Sequence, residues 1–292
     1  MKEKVLYVQL PEDAIYRKVI VTEDGRIGIV YSEECLEQSV NVPLERIIQK
    51  PEKLVGGTEV YQKEGIPYWY CKIKNGRDEF MHLYTDDLTE KDLLYDSKTG
   101  EPRKFTTKMQ KKFKDNVLVA LENKPKEGFR WIPVFEPSSD GKGRLQFVKG
   151  KKPLVGLNCF EWKKLIEEYS PENESAKASI YTYFLQALRW LKDGIATLEQ
   201  LADNSKGIGH YWDSENAKHD FELTGEREFG GLCGFVGNTC KIVEDPNSES
   251  SFSLVGGIYY NYGGECPLGD VYHVYDPLYK RDYIVGWLEL KK

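Results

Sequence analysis

Apolar side chains recur at Ile180, Phe184, Ala187, Leu188, Leu191, Ile195, Leu198, Leu201 and Ala202. That is helical spacing with one broad buried stripe, and no other stretch of the chain keeps it as long. It predicts a main helix from about Ser175 to Asp193, ended by Gly194. A short second helix follows, opened by Thr197 with Gln200 three residues on. Strand-like regions lie on both sides, so these helices are expected to pack against or between sheets.

Residues 1–97 alternate in short runs. Lys4 to Leu10 is a first strand candidate. Val19–Val21 and Ile27–Tyr31 flank Asp24-Gly25 as a hairpin, and YWYCKIKNGRDEFMHLY places Asn75-Gly76 between two alternating runs. Four or five such strands predict a small N-terminal barrel-like β unit, a closure that removes exposed edges.

The middle region, 98–205, is mixed. Thr106 to Leu121 has Met109, Phe113, Val117, Leu118 and Leu121 on one helical side and lysines on the remainder. Phe129–Phe135 and Arg144–Val148 read as strands joined by the turn PSSDGKG. Asn158 with Glu161 caps a helix running from about Phe160 to Tyr169, which ends before Pro171.

The last region, 206–292, is rich in Gly and Tyr. Its strand candidates are Asp220–Leu223, Leu232–Val236, Cys240–Val243, Phe252–Tyr260, Asp270–Tyr275 and Tyr283–Leu290, with glycine pairs marking bends. The expected fold is therefore α+β and β-rich. It has a small N-terminal barrel-like unit, central helices and a C-terminal antiparallel Gly- and Tyr-rich β region.

Charge sharpens this picture only a little. The formal net charge of −6 over 292 residues gives no case for nucleic-acid binding. The lysines of 98–126 form a basic solvated face that lacks companion arginines and aromatics in a continuous pattern, and 199–249 is acidic. No apolar stretch approaches the roughly 18 residues that span a bilayer, so no membrane partner is expected. The opening MKEKVLYVQLPEDAIY lacks a signal-peptide core. The expected location is cytoplasmic, or extracellular if a leader has been removed.

Common catalytic and cofactor signatures are absent: no GxGxxG at a strand–helix junction, no GxxxxGK[ST], no HExxH and no GxSxG. No cofactor is expected. The sharpest enzyme reading is a cysteine-dependent hydrolase using Cys233 or Cys266 with His273 and Asp276, because a thiol nucleophile needs an imidazole and a third group to orient it. His210, His219, Asp213, Glu215 and Asp220 offer an oxygen–nitrogen metal set, yet no ligand spacing in the chain is that of a zinc knuckle, and no metal is expected. Asp220, Glu222, Glu226 and Glu228 are the carboxylates from which a glycosidase pair would be drawn.

Aromatics carry the remaining signal. The chain holds 19 Tyr, 6 Trp and 12 Phe, and tyrosines crowd the last region beside glycine turns. Tyr259, Tyr260 and Tyr262 cannot all face one side of a strand, so at least one points outward or sits in a loop. The favoured reading is a non-catalytic recognition protein that binds a carbohydrate, peptide or protein surface. Its contacts would be Trp212, Tyr260, Tyr262 and Tyr279, with Asn261 and Glu265 fixing orientation. A structural or virion-type assembly protein would use the same rings in a subunit interface.

Overall fold

The computed structural model describes residues 18–21, 27–30, 59–62, 70–74, 77–124, 129–169, 175–215, 220–248, 250–264 and 267–290. The strand candidate at Lys4–Leu10 and the turns at Asp24-Gly25 and Asn75-Gly76 lie outside them.

The elements run in the order β1 (Lys18–Val21), β2 (Ile27–Val30), β3 (Glu59–Gln62), β4 (Tyr70–Lys74), β5 (Asp78–Tyr84), α1 (Glu90–Leu94) and α2 (Lys108–Glu122). Next come β6 (Phe129–Pro133), β7 (Ser138–Ser139), β8 (Leu145–Gln146), α3 (Cys159–Tyr169), β9 (Ser175–Lys177), α4 (Ile180–Lys192) and α5 (Leu198–Ala202). The chain closes with β10 (Glu228–Phe229), β11 (Leu232–Cys233), β12 (Cys240–Glu244), β13 (Phe252–Val255), β14 (Val271–His273), β15 (Ile284–Gly286) and β16 (Leu288–Leu290).

Among the described residues no sheet closes into a barrel, which corrects the N-terminal expectation. β3, β4 and β5 instead open a six-stranded sheet in the order β3-β4-β5-β6-β16-β9. The free side of β5 is taken by β6, in a register from Phe80 opposite Pro133 to Tyr84 opposite Phe129. β16 then takes the far side of β6. Closure would have needed β5 to return to the first strands, and β6 has its place.

Strands also extend through the rest of the chain. β14-β13-β12-β15 form a second sheet, and its β12–β15 pair is parallel. The all-antiparallel expectation for the last region is thereby corrected as well. The physical reason is the path after β14. The chain passes beside the start of α3, where Cys159 N donates to Pro277 O and Gly156 N to Arg281 O. It then enters β15 on the far side of β12, so the two strands point the same way.

α4 lies at the centre. It is buried on nearly every side, with Ile180, Phe184, Leu188 and Leu191 all inside. Such a helix is core rather than amphipathic surface. It begins at Ile180, because Ser175–Lys177 is extended and pairs with β16, and Ser179 caps it by accepting from Thr182 N at 3.1 Å. Gly194 ends it at φ +68°. The expected boxes Thr89–Asp92, Asn158–Glu161 and Thr197–Gln200 all form.

The six-stranded sheet is covered on both faces. Met81, Leu83, Ile132 and Val134 pack into one cluster with α2 and α4, while Phe80 packs with Phe147 and with Trp162 and Ile166 of α3 in the other. Alternation along β5 and β6 thus serves two cores. The strand expected at Arg144–Val148 forms as β8 and pairs with β7. One local expectation fails. Asp220–Leu223 forms no strand, because its N–H groups are taken by side chains: Glu222 N donates to Asn238 Oδ1 at 2.9 Å and Leu223 N to Glu226 Oε2 at 3.2 Å.

Candidate recognition surface

After β13 the chain turns through Gly256 and Gly257, both at positive φ, a conformation open to residues without a Cβ. Gly256 O accepts from Tyr211 Oη at 3.1 Å. The segment that follows is fixed by its backbone. Tyr259 N donates to Asn238 O at 3.2 Å, Trp212 N to Asn261 O at 3.0 Å, and Gly263 N to Asp213 Oδ1 at 2.9 Å. Ile258 is buried beneath it.

On this support four rings form a chain. Phe221 meets Tyr259 at 4.7 Å and 65°, Tyr259 meets Tyr260 at 5.3 Å and 84°, and Tyr260 meets Tyr283 at 5.7 Å and 86°. Each contact is edge-to-face, the arrangement that the ring quadrupole favours. His210 lies parallel to Tyr259 at 6.3 Å and closes the chain on its inner side. Tyr260 is 44% exposed, and the other three members are half-buried. The cluster is a surface feature with a packed base. Burial, together with the Tyr283 hydroxyl, pushes the Tyr260 phenol well above its usual range, so it stays a neutral donor.

Of the residues singled out in the sequence, Tyr260 belongs to this cluster. Trp212, Asn261 and Tyr262 border it through the Trp212–Asn261 backbone bond, and Trp212 and Tyr262 are exposed. Tyr279 is exposed on the loop before Tyr283 and carries Arg281 over its ring at 5.6 Å. Glu265 and Cys266 lie outside the described residues, as does His219. Sequence reading missed Phe221, Tyr259 and Tyr283 as members. Tyr259 and Tyr283 were visible only as part of the tyrosine crowding, and Phe221 had no signal, since it comes from a distant segment.

Among the described residues no Cys–His–Asp geometry is shown, and the Cys266 form of that reading lies outside them. Cys233 is buried on β11 in the hydrophobic core, whereas the side chain of His273 is 52% exposed on β14. His273 Nδ1 lies 3.1 Å from Ser253 Oγ and 3.7 Å from Asp245 Oδ2. Asp276 serves its own turn by accepting from Leu278 N at 3.0 Å. Ser253 is no nucleophile either. It is fully buried, and its hydroxyl donates to Asp245 at 2.7 Å, so the imidazole does not stand between hydroxyl and carboxylate.

The carboxylates and histidine nearby are engaged in structure. Glu222 accepts from Arg227 Nη2 at 3.1 Å and Nε at 3.3 Å. His210 Nε2 lies 3.0 Å from Asp220 O, and its Nδ1 lies 3.3 Å from Glu222 without hydrogen-bond geometry. Among the described residues no group of three or more His, Cys, Asp or Glu gathers as a metal site. No helix there is long and apolar enough to cross a membrane.

No family model and no curated protein matches the chain. A solved structure described as "Crystal Structure of CarF" aligns with a TM-score of 0.40 and 11% identity, over 56% of this chain and 86% of that one. A likeness this distant assigns no function.

Proposed function

We propose that the chain is a non-catalytic recognition protein whose aromatic face, centred on Tyr260, binds a protein or peptide partner. The observation that carries this reading is the edge-to-face ring chain of Phe221, Tyr259, Tyr260 and Tyr283, backed by backbone hydrogen bonds and open to solvent at Tyr260. Rings fixed before binding give apolar contact at little entropy cost, which suits an anchor residue.

Ring orientation favours protein over sugar. Carbohydrate recognition of this kind uses flat ring faces as platforms, but neighbouring rings here stand at 65–86° to each other. They form a ridged surface that fits between apolar side chains. Exposed Trp212 and Tyr262 widen the patch, and Asn261 lies at its border.

The test pairs thermal melts with peptide and glycan arrays for the wild type, Tyr260→Ala and Tyr262→Ala. Loss of one anchor is expected to weaken peptide binding by about thirtyfold, roughly 2 kcal/mol, with little movement of the melt. Binding confined to glycans would overturn the protein reading. Strong destabilisation by both substitutions, with no ligand found, would overturn recognition altogether.

A further inference from the structure

Glu136, just beyond β6, and Lys241, on β12, are 1% and 0% exposed, and Lys241 Nζ lies 3.6 Å from Glu136 Oε1. The pair joins a segment of the six-stranded sheet to the four-stranded one. Buried charges of this kind are costly unless every hydrogen-bonding valence is met. Here the valences are met in a particular pattern. Lys241 Nζ donates to Gly237 O at 2.9 Å and to Thr239 O at 2.5 Å. Asn238 Nδ2 donates to Glu136 Oε2 at 2.5 Å, and the Thr239 hydroxyl donates to Oε1.

We propose that Glu136 and Lys241 condense into an intramolecular amide, a covalent strut between the two sheets. Two carbonyls take two of the amine hydrogens, which leaves the third direction of Nζ for the carboxyl group. Donors from Asn238 and Thr239 sit on both carboxyl oxygens, placed to stabilise negative charge as it develops there. The two groups are held together for the life of the fold, so the reaction is unimolecular. Gly234 leaves room for the carboxyl group, since a Cβ there would overlap it.

The protons balance within the pair. Ammonium with carboxylate and amine with carboxylic acid differ by one proton moved between the partners. Burial pushes the Glu136 carboxyl up and pulls the Lys241 ammonium down, each against the attraction of the other, and both shifts favour the neutral forms. The Nζ lone pair then attacks Glu136 Cδ, the Nζ–Cδ bond forms and one Cδ–O bond breaks. The hydroxyl leaves with a proton from nitrogen as water. Nothing is oxidised or reduced, and no co-reactant enters. A cavity lined by Glu136, Asn238 and Gly234 adjoins the carboxyl group, with room for about one water. Arg227 and Leu223, both partly exposed, also line it.

Intact-mass spectrometry of the purified full chain, followed by proteolytic mapping, decides the matter. The expected result is a mass lower than the sequence by one water, with a branched peptide joining Glu136 to Lys241. Lys241→Met should restore the full mass of its own sequence; if that variant does not fold, the branch in the wild type still decides. A full wild-type mass after prolonged incubation of the folded protein would overturn the proposal. So would loss of one ammonia with a branch at Asn238, or a water loss mapped to any other site.

Discussion

Leu290 on β16 lies opposite Trp131 on β6, and two residues earlier Leu288 lies opposite Lys177 on β9. The last described strand is therefore inserted between two strands of the middle of the chain. Leu288 and Leu290 are fully buried on the α3 side of the sheet. Glu289, on the other face, accepts from Thr182 Oγ1 of α4 at 2.7 Å.

Leu288→Ala is accordingly expected to destabilise the fold by about 2–5 kcal/mol, the range for removing a buried leucine. Urea denaturation of the two proteins measures it. A loss below about 0.5 kcal/mol would mean that β16 is peripheral and that its pairing matters little to the core.

Gly234 offers a sharper backbone test. It stands at φ +68°, and a Cβ there would overlap the Glu136 carboxyl group. Left-handed backbone and overpacking add, so Gly234→Ala is expected to cost about 2–4 kcal/mol. Gly141 stands at a similar φ, +81°, with open space around it, and Gly141→Ala should show the backbone part alone, about 1–2 kcal/mol. Equal losses at the two sites would show that Glu136 moves aside.

Much of the local structure was legible because it is written in short-range chemistry. The α4 stripe, the Thr89, Asn158 and Thr197 boxes, the Gly194 stop and the β4–β5 hairpin each depend on residues within a few positions of one another. The pairing of β16 with β6 depends on no such signal. Leu290 and Trp131 meet through tertiary packing, and alternation alone is equally served by a closed barrel. The same limit governs the site. Tyr260 was visible in a glycine-flanked tyrosine run, but Phe221 joins it through a segment whose N–H groups are held by Asn238 and Glu226. The buried pair Glu136–Lys241 was invisible for the same reason, since each residue alone reads as an ordinary surface charge.

Acid response should separate two aspartates around Arg189. Asp87 is raised by burial, but hydrogen bonds and charge from Arg189 and Lys192 outweigh this and hold it below its ordinary value of 3.8. Asp193 is raised above 3.8, because burial outweighs the attraction of Arg189. A depressed carboxylate adds stability above its unfolded pKa and loses it as pH falls through the folded one. A raised carboxylate costs stability as pH climbs from the unfolded pKa through the folded one. Asp87→Asn should therefore lower the melting temperature at neutral pH and have little effect at about pH 2, while Asp193→Asn should raise it at neutral pH. Melts of both variants across the acid range check the signs, and shifts of the same sign at neutral pH would refute the assignment.

The aromatic cluster predicts a gradient from fold to surface. Tyr259 is its inner member: it lies parallel to His210, touches Phe221 and Tyr260 at their edges, and its N–H is bound to Asn238 O. Tyr260 is nearly half exposed, and Trp212 and Tyr262 are comparably open. Removing Tyr259 strips contacts from rings on three sides, so Tyr259→Ala is expected to cost about 1–3 kcal/mol of stability. Trp212→Ala and Tyr262→Ala should each cost less than Tyr259→Ala, because these outer rings already leave 42% and 49% of their surface in solvent. Tyr260→Ala should fall between them, since it loses the Tyr283 contact but leaves Tyr259 on its base. Chemical denaturation of the four variants ranks them without any ligand in hand. A rank in which Trp212 or Tyr262 costs more than Tyr259 would place the outer rings in the fold and remove the surface on which recognition depends.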